Sequence, residues 1–190
     1  KCSPCRASIL TGRNTWQLKE AVSHFSIFPN EFAVYPDLLE KAGYAVGLTG
    51  KGWGPGDYQS TGWKRNPAGP EFRKLTNKPP YDGIGNLDYA GNFNVFLEQR
   101  PKDKPFFLMV SFYEPHSPFH FPVEDRGTFD PKKFGVPKAG AEDGWHIPAI
   151  FRDLNESEKQ GITAAYYTSM AFLDRNVGKV LSALKKAGLE

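Results

Sequence analysis

Two short apolar runs constrain the fold of this chain more than any other feature. "YAVGLTG" (44–50) and "PFFLMVSFY" (105–113) are strand-sized and nearly continuous in apolar residues. The first ends in glycine, as a strand buried on both faces does. Each run follows a helical pattern. Pro36 and Asp37 stand in the first turn of one helix, Leu38 and Leu39 continue it, and Gly43 lies past its end. A second helix runs from about Asp88 to Glu98 with Phe93, Phe96 and Leu97 facing inwards. A third begins at "NESE", where Asn155 and Glu158 form a capping box. It continues through Ile162, Tyr166, Met170, Leu173, Val177, Leu181 and Leu184 to Gly188. Helix, strand, helix, strand, helix predicts an α/β domain with a mainly parallel central sheet, flanked by helices. Such sheets bind ligands beyond the carboxyl ends of their strands. Lys51 and His116 both fall at that edge.

Composition narrows the partners. The 190 residues, 39% hydrophobic and 14% aromatic, suffice for one domain with a sizeable core. With 24 basic and 21 acidic residues, the net charge of +3 is too balanced and dispersed to point to nucleic acid or a membrane surface. No apolar run approaches the ~18 residues of a membrane span. There is no initiating Met and no signal-like segment, so Lys1 need not be the natural start. Two Gly- and Pro-rich loops are predicted, 52–80 and 117–152. The first carries Trp53, Tyr58, Trp63 and Phe72. Trp53 and Trp63 suit either stacking on a sugar ring or packing under their loop.

The chain opens "KCSPCRASILTGR", with both of its cysteines spaced C-x-x-C. Ser3 as N-cap and Pro4 at the first helical position predict a short helix over "PCRASILT", ended by Gly12. Cys2 is then expected just before a helix N-terminus, where unpaired N–H groups favour anions and thiolates. Two cysteines do not make a disulfide scaffold. A zinc site needs four ligands, and His24, His116, His120 and His146 offer no compact paired spacing. A thioredoxin-like dithiol should follow a buried strand, and none precedes Cys2 in this sequence. His116, between two prolines after a strand, is a better site candidate than a core residue. His24, His120 and His146 carry no signal that separates a site role from a surface one.

The whole stretch, Cys2, Pro4, Arg6 and then Leu10 to Arg13, is similar to the sulfatase signature, in which C-x-P-x-R followed by L-T-G-R marks a cysteine converted to formylglycine. Cys5 departs mildly, since serine is commoner there. "TGKGWGPG" resembles the family's strand-then-lysine segment, and "KPFFLMVSFYEPHSPF" its later strand ending in Pro-His. "YYTSMAFLDRNVGKVLSALKKAGL" resembles the helix before its second metal-binding segment. The order of these segments is also the family's. "GKGWGP" and "KPFFLMVSFYEPH" further resemble the heparan N-sulfatase (sulfamidase) branch and its bacterial relatives.

The resemblance implies an alkaline-phosphatase-like sulfatase fold and hydrolysis of a sulfate ester or sulfamate on a sulfated glycan. It implies that Cys2 is oxidised by a formylglycine-generating enzyme and, once converted, is one ligand of a calcium ion. In the family one hydroxyl of the hydrated formylglycine attacks sulfur, the leaving alcohol or amine takes a proton, and the second hydroxyl expels sulfate to restore the aldehyde. Arg6 would hold the hydrated aldehyde, Lys51 would pair with a sulfate oxygen, and His116 would bind sulfate or protonate the leaving group. Family members are commonly exported, to periplasm or outside the cell, or lysosomal. Residues 1–190 are then expected to be an internal part of one catalytic domain, incomplete at both ends, lacking most calcium ligands and inactive alone. One departure stands inside the chain: the family's K-x-H has Trp53 at its histidine. Phosphate transfer by a member of the same superfamily, a non-catalytic glycan-binding relative and a C-x-x-C redox module are the competing readings.

Overall fold

A computed structural model of the chain describes residues 1–77, 87–138, 140, 142–145 and 147–190. His146 and residues 78–80 of the first predicted loop lie outside them. Chain contacts divide the molecule into two compact units. The first comprises Lys1–Thr76, Leu87–Tyr113 and Lys179–Glu190, and the second is built on Glu114–Gly178.

The first unit holds the sheet. Strands β1 (Ala45–Gly50) and β2 (Phe106–Ser111) run parallel, with Ala45 opposite Phe106 and Gly50 opposite Ser111. Helix α1 (Cys2–Thr11) and helix α2 (Tyr35–Lys41) precede β1, and helix α3 (Tyr89–Gln99) joins the strands. The alternation of β2 places its side chains on two faces. Phe106, Leu108 and Val110 pack on Phe93, Phe96 and Leu97 of α3, together with Val180, Ala183 and Leu184. On the other face Met109 joins the cluster of Ala7, Leu10, Leu18, Phe28 and Val34, and Phe107 meets Tyr35 edge-on. Helices thus cover both faces of a parallel pair, as the order of apolar runs predicts.

β1 is buried along nearly its whole length, but β2 is only half-buried. The apolar run of 105–113 reads as equally buried. The difference lies at the other edge of β1, where the Leu48 N–H donates to the Pro70 carbonyl at 3.0 Å and the Phe72 N–H donates to the Leu48 carbonyl at 2.8 Å, so that the segment around Glu71 covers β1.

Two expected helix ends are observed and one is shifted. Asp88 caps α3 by accepting from the Gly91 N–H at 2.8 Å. Asn155 and Glu158 bond reciprocally, at 3.0 and 2.8 Å, ahead of the long helix of the second unit. α1, by contrast, starts two residues earlier than expected. Its cap is Lys1, whose carbonyl accepts from the Cys5 N–H at 3.4 Å, and Ser3 is a buried first-turn residue. Pro4 tolerates this because a first-turn residue needs no N–H partner. The end is as expected: Gly12 has φ +68° and returns its N–H to the Ser8 carbonyl.

In the second unit three short turns of helix, Val123–Asp125, Pro131–Lys133 and Asp143–Trp145, interrupt the predicted loop, followed by α4 (Ala149–Arg152) and α5 (Glu156–Lys186). Phe119 packs edge-on against Tyr166 of α5, and Phe134 lies over Tyr167. The buried Ser169 hydroxyl donates to the His120 carbonyl at 2.9 Å, so the backbone of His120 serves the fold of this unit. From Lys179 onward α5 belongs to the first unit.

The turn that ends β1 has no room for a side chain. Gly50 has φ +78°, and a Cβ there would lie 1.9 Å from the Ser111 carbonyl oxygen, while the Lys51 N–H donates to that oxygen at 2.6 Å. Gly50→Ala must separate the strand ends or break that bond. It is expected to cost more than about 3 kcal/mol, read as a lowered midpoint of denaturant unfolding.

Candidate active site

Helix α1 presents the first part of the opening motif at its start and uses the second part to stop. Leu10 is buried in the core, the Thr11 hydroxyl donates to the Ala7 carbonyl at 2.7 Å, and the Arg13 guanidinium sits 5.3 Å over the Phe32 ring. "LTGR" is therefore an anchor and a helix terminator. Cys2 and Arg6 lie one turn apart, on one side of the helix.

Arg6 joins this helix to the end of β1. One terminal nitrogen of its guanidinium donates to the carbonyl of Gly52, 46 residues away and next to Lys51. Its Nε is buried and hydrogen-bonds no described residue. Burial pushes the guanidinium below its ordinary pKa, opposed by the nearby Cys2, Cys5 and Tyr113. Arginine stays charged at neutral pH even so. Gly54 makes the approach possible: a Cβ there would lie 2.4 Å from Arg6 Nε.

Further charged and polar groups gather at the same strand edge. Arg73 donates to the Tyr113 hydroxyl at 2.9 Å, and a Cβ at Gly52 would stand 3.5 Å from Arg73 and 3.2 Å from the Glu71 carboxylate. The half-buried side chain of Lys51 enters no ion pair among the described residues. Arg6, Lys51 and Arg73 thus come from α1 or from the segment that follows β1, and the Glu71 carboxylate, 3.9 Å from the Arg73 guanidinium, offsets part of their charge.

His24 is the site residue that sequence reasoning left unresolved. Its Nδ1 lies 3.0 Å from the Ser3 hydroxyl and 3.7 Å from Cys2 Sγ. The only sequence hint was indirect, in that Ser3 looked like a cap and is spent on His24 instead. Trp53, at the position of the family's histidine, is a packing residue. Its indole N–H donates to the Gly56 carbonyl at 2.6 Å, and its ring meets Phe28 and Tyr58 edge-on.

His116 belongs to the second unit. It is exposed, and its Nδ1–H donates to the Ser117 carbonyl at 2.6 Å, which leaves Nε2 as the free ring nitrogen. Both cysteines are free thiols, Cys2 half-buried and Cys5 exposed.

Calcium asks for six to eight oxygen ligands. Around Cys2 the structure supplies an imidazole nitrogen, a hydroxyl and sulfur. Among the described residues no group of three or more His, Cys, Asp or Glu side chains is placed to hold a metal. The donors present around Cys2 do not fit calcium.

The architecture is shared with solved hydrolases. The phosphonate monoester hydrolase of Agrobacterium radiobacter superposes over all of this chain and 51% of its own, with a TM-score of 0.75 at 20% identity. That of Silicibacter pomeroyi does so with a TM-score of 0.71 at 19% identity. The fold is therefore the α/β fold of the alkaline-phosphatase-like hydrolases.

The sulfatase family model matches residues 1–190, and the chain belongs to the sulfatase family. Human N-sulphoglucosamine sulphohydrolase is 29% identical over 211 residues, covering 99% of this chain and 38% of the relative. Human iduronate 2-sulfatase is 25% identical, covering 96% and 43%. Choline-sulfatase of Rhizobium meliloti is 24% identical, covering 97% and 45%. The chain thus spans about two fifths of the length of these curated relatives.

Gly54→Ala tests the placement of Arg6. The added methyl displaces a side chain and leaves the helices and strands intact. Binding of inorganic sulfate, followed by calorimetry, is expected to weaken about tenfold, and the melting temperature to fall as the bond from Arg6 to the Gly52 carbonyl is lost.

Proposed function

We propose that these residues form part of one catalytic domain of a sulfuric ester or sulfamate hydrolase acting on a sulfated carbohydrate, with Cys2 as the precursor of its nucleophile. The observation that carries this reading is the bond from Arg6 to the Gly52 carbonyl, which sets the C-x-P-x-R segment against the strand-end Lys51. Two of the relatives take their names from the sugars N-sulphoglucosamine and iduronate, which supports a carbohydrate substrate.

Formylglycine, when formed from Cys2, supplies a hydrated aldehyde, one hydroxyl to attack sulfur and a second to release sulfate. The chain's own residues do the rest. Arg6 and Lys51 neutralise charge on the sulfate oxygens, where fixed donors need no reorganisation as charge develops. Arg6 keeps a preset direction because its fork is held at Gly52. His116 is the candidate proton donor to the departing alcohol or amine: as imidazolium it gives up its Nε2 proton and keeps Nδ1–H on the Ser117 carbonyl. On this proposal maturation takes a formylglycine-generating enzyme, and the complete protein works outside the cell, in the periplasm or in a lysosome.

The competing reading is a glycan-binding relative without turnover. It draws on Trp53, which fills the family's histidine position and is fixed in the core.

The two readings part at Cys2. The complete protein, expressed with a formylglycine-generating enzyme, is expected to yield a "CSPCR" peptide about 18 Da lighter than the reduced form, with fragmentation placing the change at Cys2. An unmodified peptide beside a converted control sulfatase sinks the hydrolase reading. With calcium in the assay, Lys51→Ala and Arg6→Lys are each expected to lower kcat/KM for a sulfated glucosamine by about 10²- to 10³-fold. Cys5→Ser is expected to leave it unchanged, which a dithiol mechanism forbids.

A further inference from the structure

Beside Cys2 the chain holds an aromatic side chain that the fold does not use. Phe25 is 97% exposed, and its backbone is left-handed at φ +58°, a conformation that costs a non-glycine residue free energy. Glycine would serve a turn better. The segment is nevertheless held on both sides. On one side the His24 ring meets Phe25 edge-on at 4.5 Å and reaches the buried Ser3 hydroxyl at 3.0 Å. On the other the Ser26 carbonyl accepts from the Asp57 N–H at 2.8 Å, the Ser26 hydroxyl donates to the Ser23 carbonyl at 3.1 Å, and Phe28 N–H donates to the Asp57 carbonyl at 2.7 Å. A strained residue fixed by its neighbours, with its apolar ring in water, signals a function outside the fold.

We propose that Phe25 is a stacking platform for the sugar ring that carries the sulfate, with His24 as the positioning residue that ties this platform to the helix bearing Cys2. The inference rests on the sulfatase reading and deepens it by naming a substrate contact. The link from Phe25 through His24 to Cys2 is short: His24 Nδ1 is 3.7 Å from Cys2 Sγ. A sulfate bound beside Cys2 would leave its sugar ring within reach of the paired His24 and Phe25 rings. The apolar face of a pyranose matches an exposed phenyl ring, and such contacts contribute to binding without touching the reacting atoms. Phe25 therefore acts on substrate affinity more than on the chemical step.

The test uses the complete protein and three variants, Phe25→Ala, Phe25→Gly and Phe25→Trp, with sulfated glucosamine as substrate and inorganic sulfate as a ringless competitor. Phe25→Ala and Phe25→Gly are expected to raise KM roughly 3- to 10-fold, with kcat and the sulfate inhibition constant within about twofold of wild type. Phe25→Trp is expected to keep KM low. Phe25→Gly relieves the left-handed strain, so its melting temperature is expected to equal or exceed that of wild type. An unchanged KM in both small variants, an equal rise in the sulfate inhibition constant, or a fall in the melting temperature of Phe25→Gly overturns the platform. Calorimetric binding of sulfated glucosamine separates this failure from that of the hydrolase reading. Ring-dependent binding without turnover in any protein keeps the platform and sinks the hydrolase. Turnover indifferent to Phe25 does the reverse, and neither binding nor turnover sinks both.

Discussion

A half-buried guanidinium organises the first unit. Arg6 leaves water to bond the Gly52 carbonyl, and this one contact ties the start of α1 to the turn after β1 across 46 residues of sequence. Withdrawing a charge from water costs several kcal/mol unless hydrogen bonds or opposite charge offset it. Here a single carbonyl accepts from one end of the fork, and Nε has no described partner. The other end of the fork is left to solvent or, under the proposed function, to a sulfate oxygen. The surroundings are shaped to keep the fork in place: Gly52 has φ +70°, and Gly54 admits Nε where any Cβ would collide.

Much of the fold could be read from apolar runs and helix ends because these features are local. β1, β2 and α3 lie where their patterns predict, and the Asn155–Glu158 box opens α5. The strand-end position of Lys51 was legible for the same reason. Departures occur where a side chain has a distant alternative partner. Ser3 is as good a cap as sequence offers, yet its hydroxyl meets His24, 21 residues on, and the helix begins earlier at Cys2. Trp53 could have faced a sugar or the core, and the choice depended on Phe28 and Tyr58, which no window around Trp53 contains. His24 had no local signal at all. Its place beside Cys2 arises from the path of the chain between α1 and α2.

Trp53 and the rim around His24 are mechanically one arrangement. A histidine at position 53 would need its ring free toward the strand edge. Tryptophan instead roots the loop in the core and bonds its indole N–H to the Gly56 carbonyl. That fixes Gly56 at φ +140°, where a Cβ would lie 2.6 Å from the Ser26 carbonyl oxygen. Asp57, next in sequence, takes the same carbonyl through its N–H and pairs with Ile27 as an isolated parallel bridge. The turn anchored by Trp53 is therefore the surface on which Ser26 rests, one residue past the strained Phe25 and two past His24. Restoring the family's histidine at 53 would remove the anchor as well as add a ring. Within this chain the loop rooted by Trp53 and the segment that carries His24 are joined by a backbone contact that tolerates only glycine at position 56.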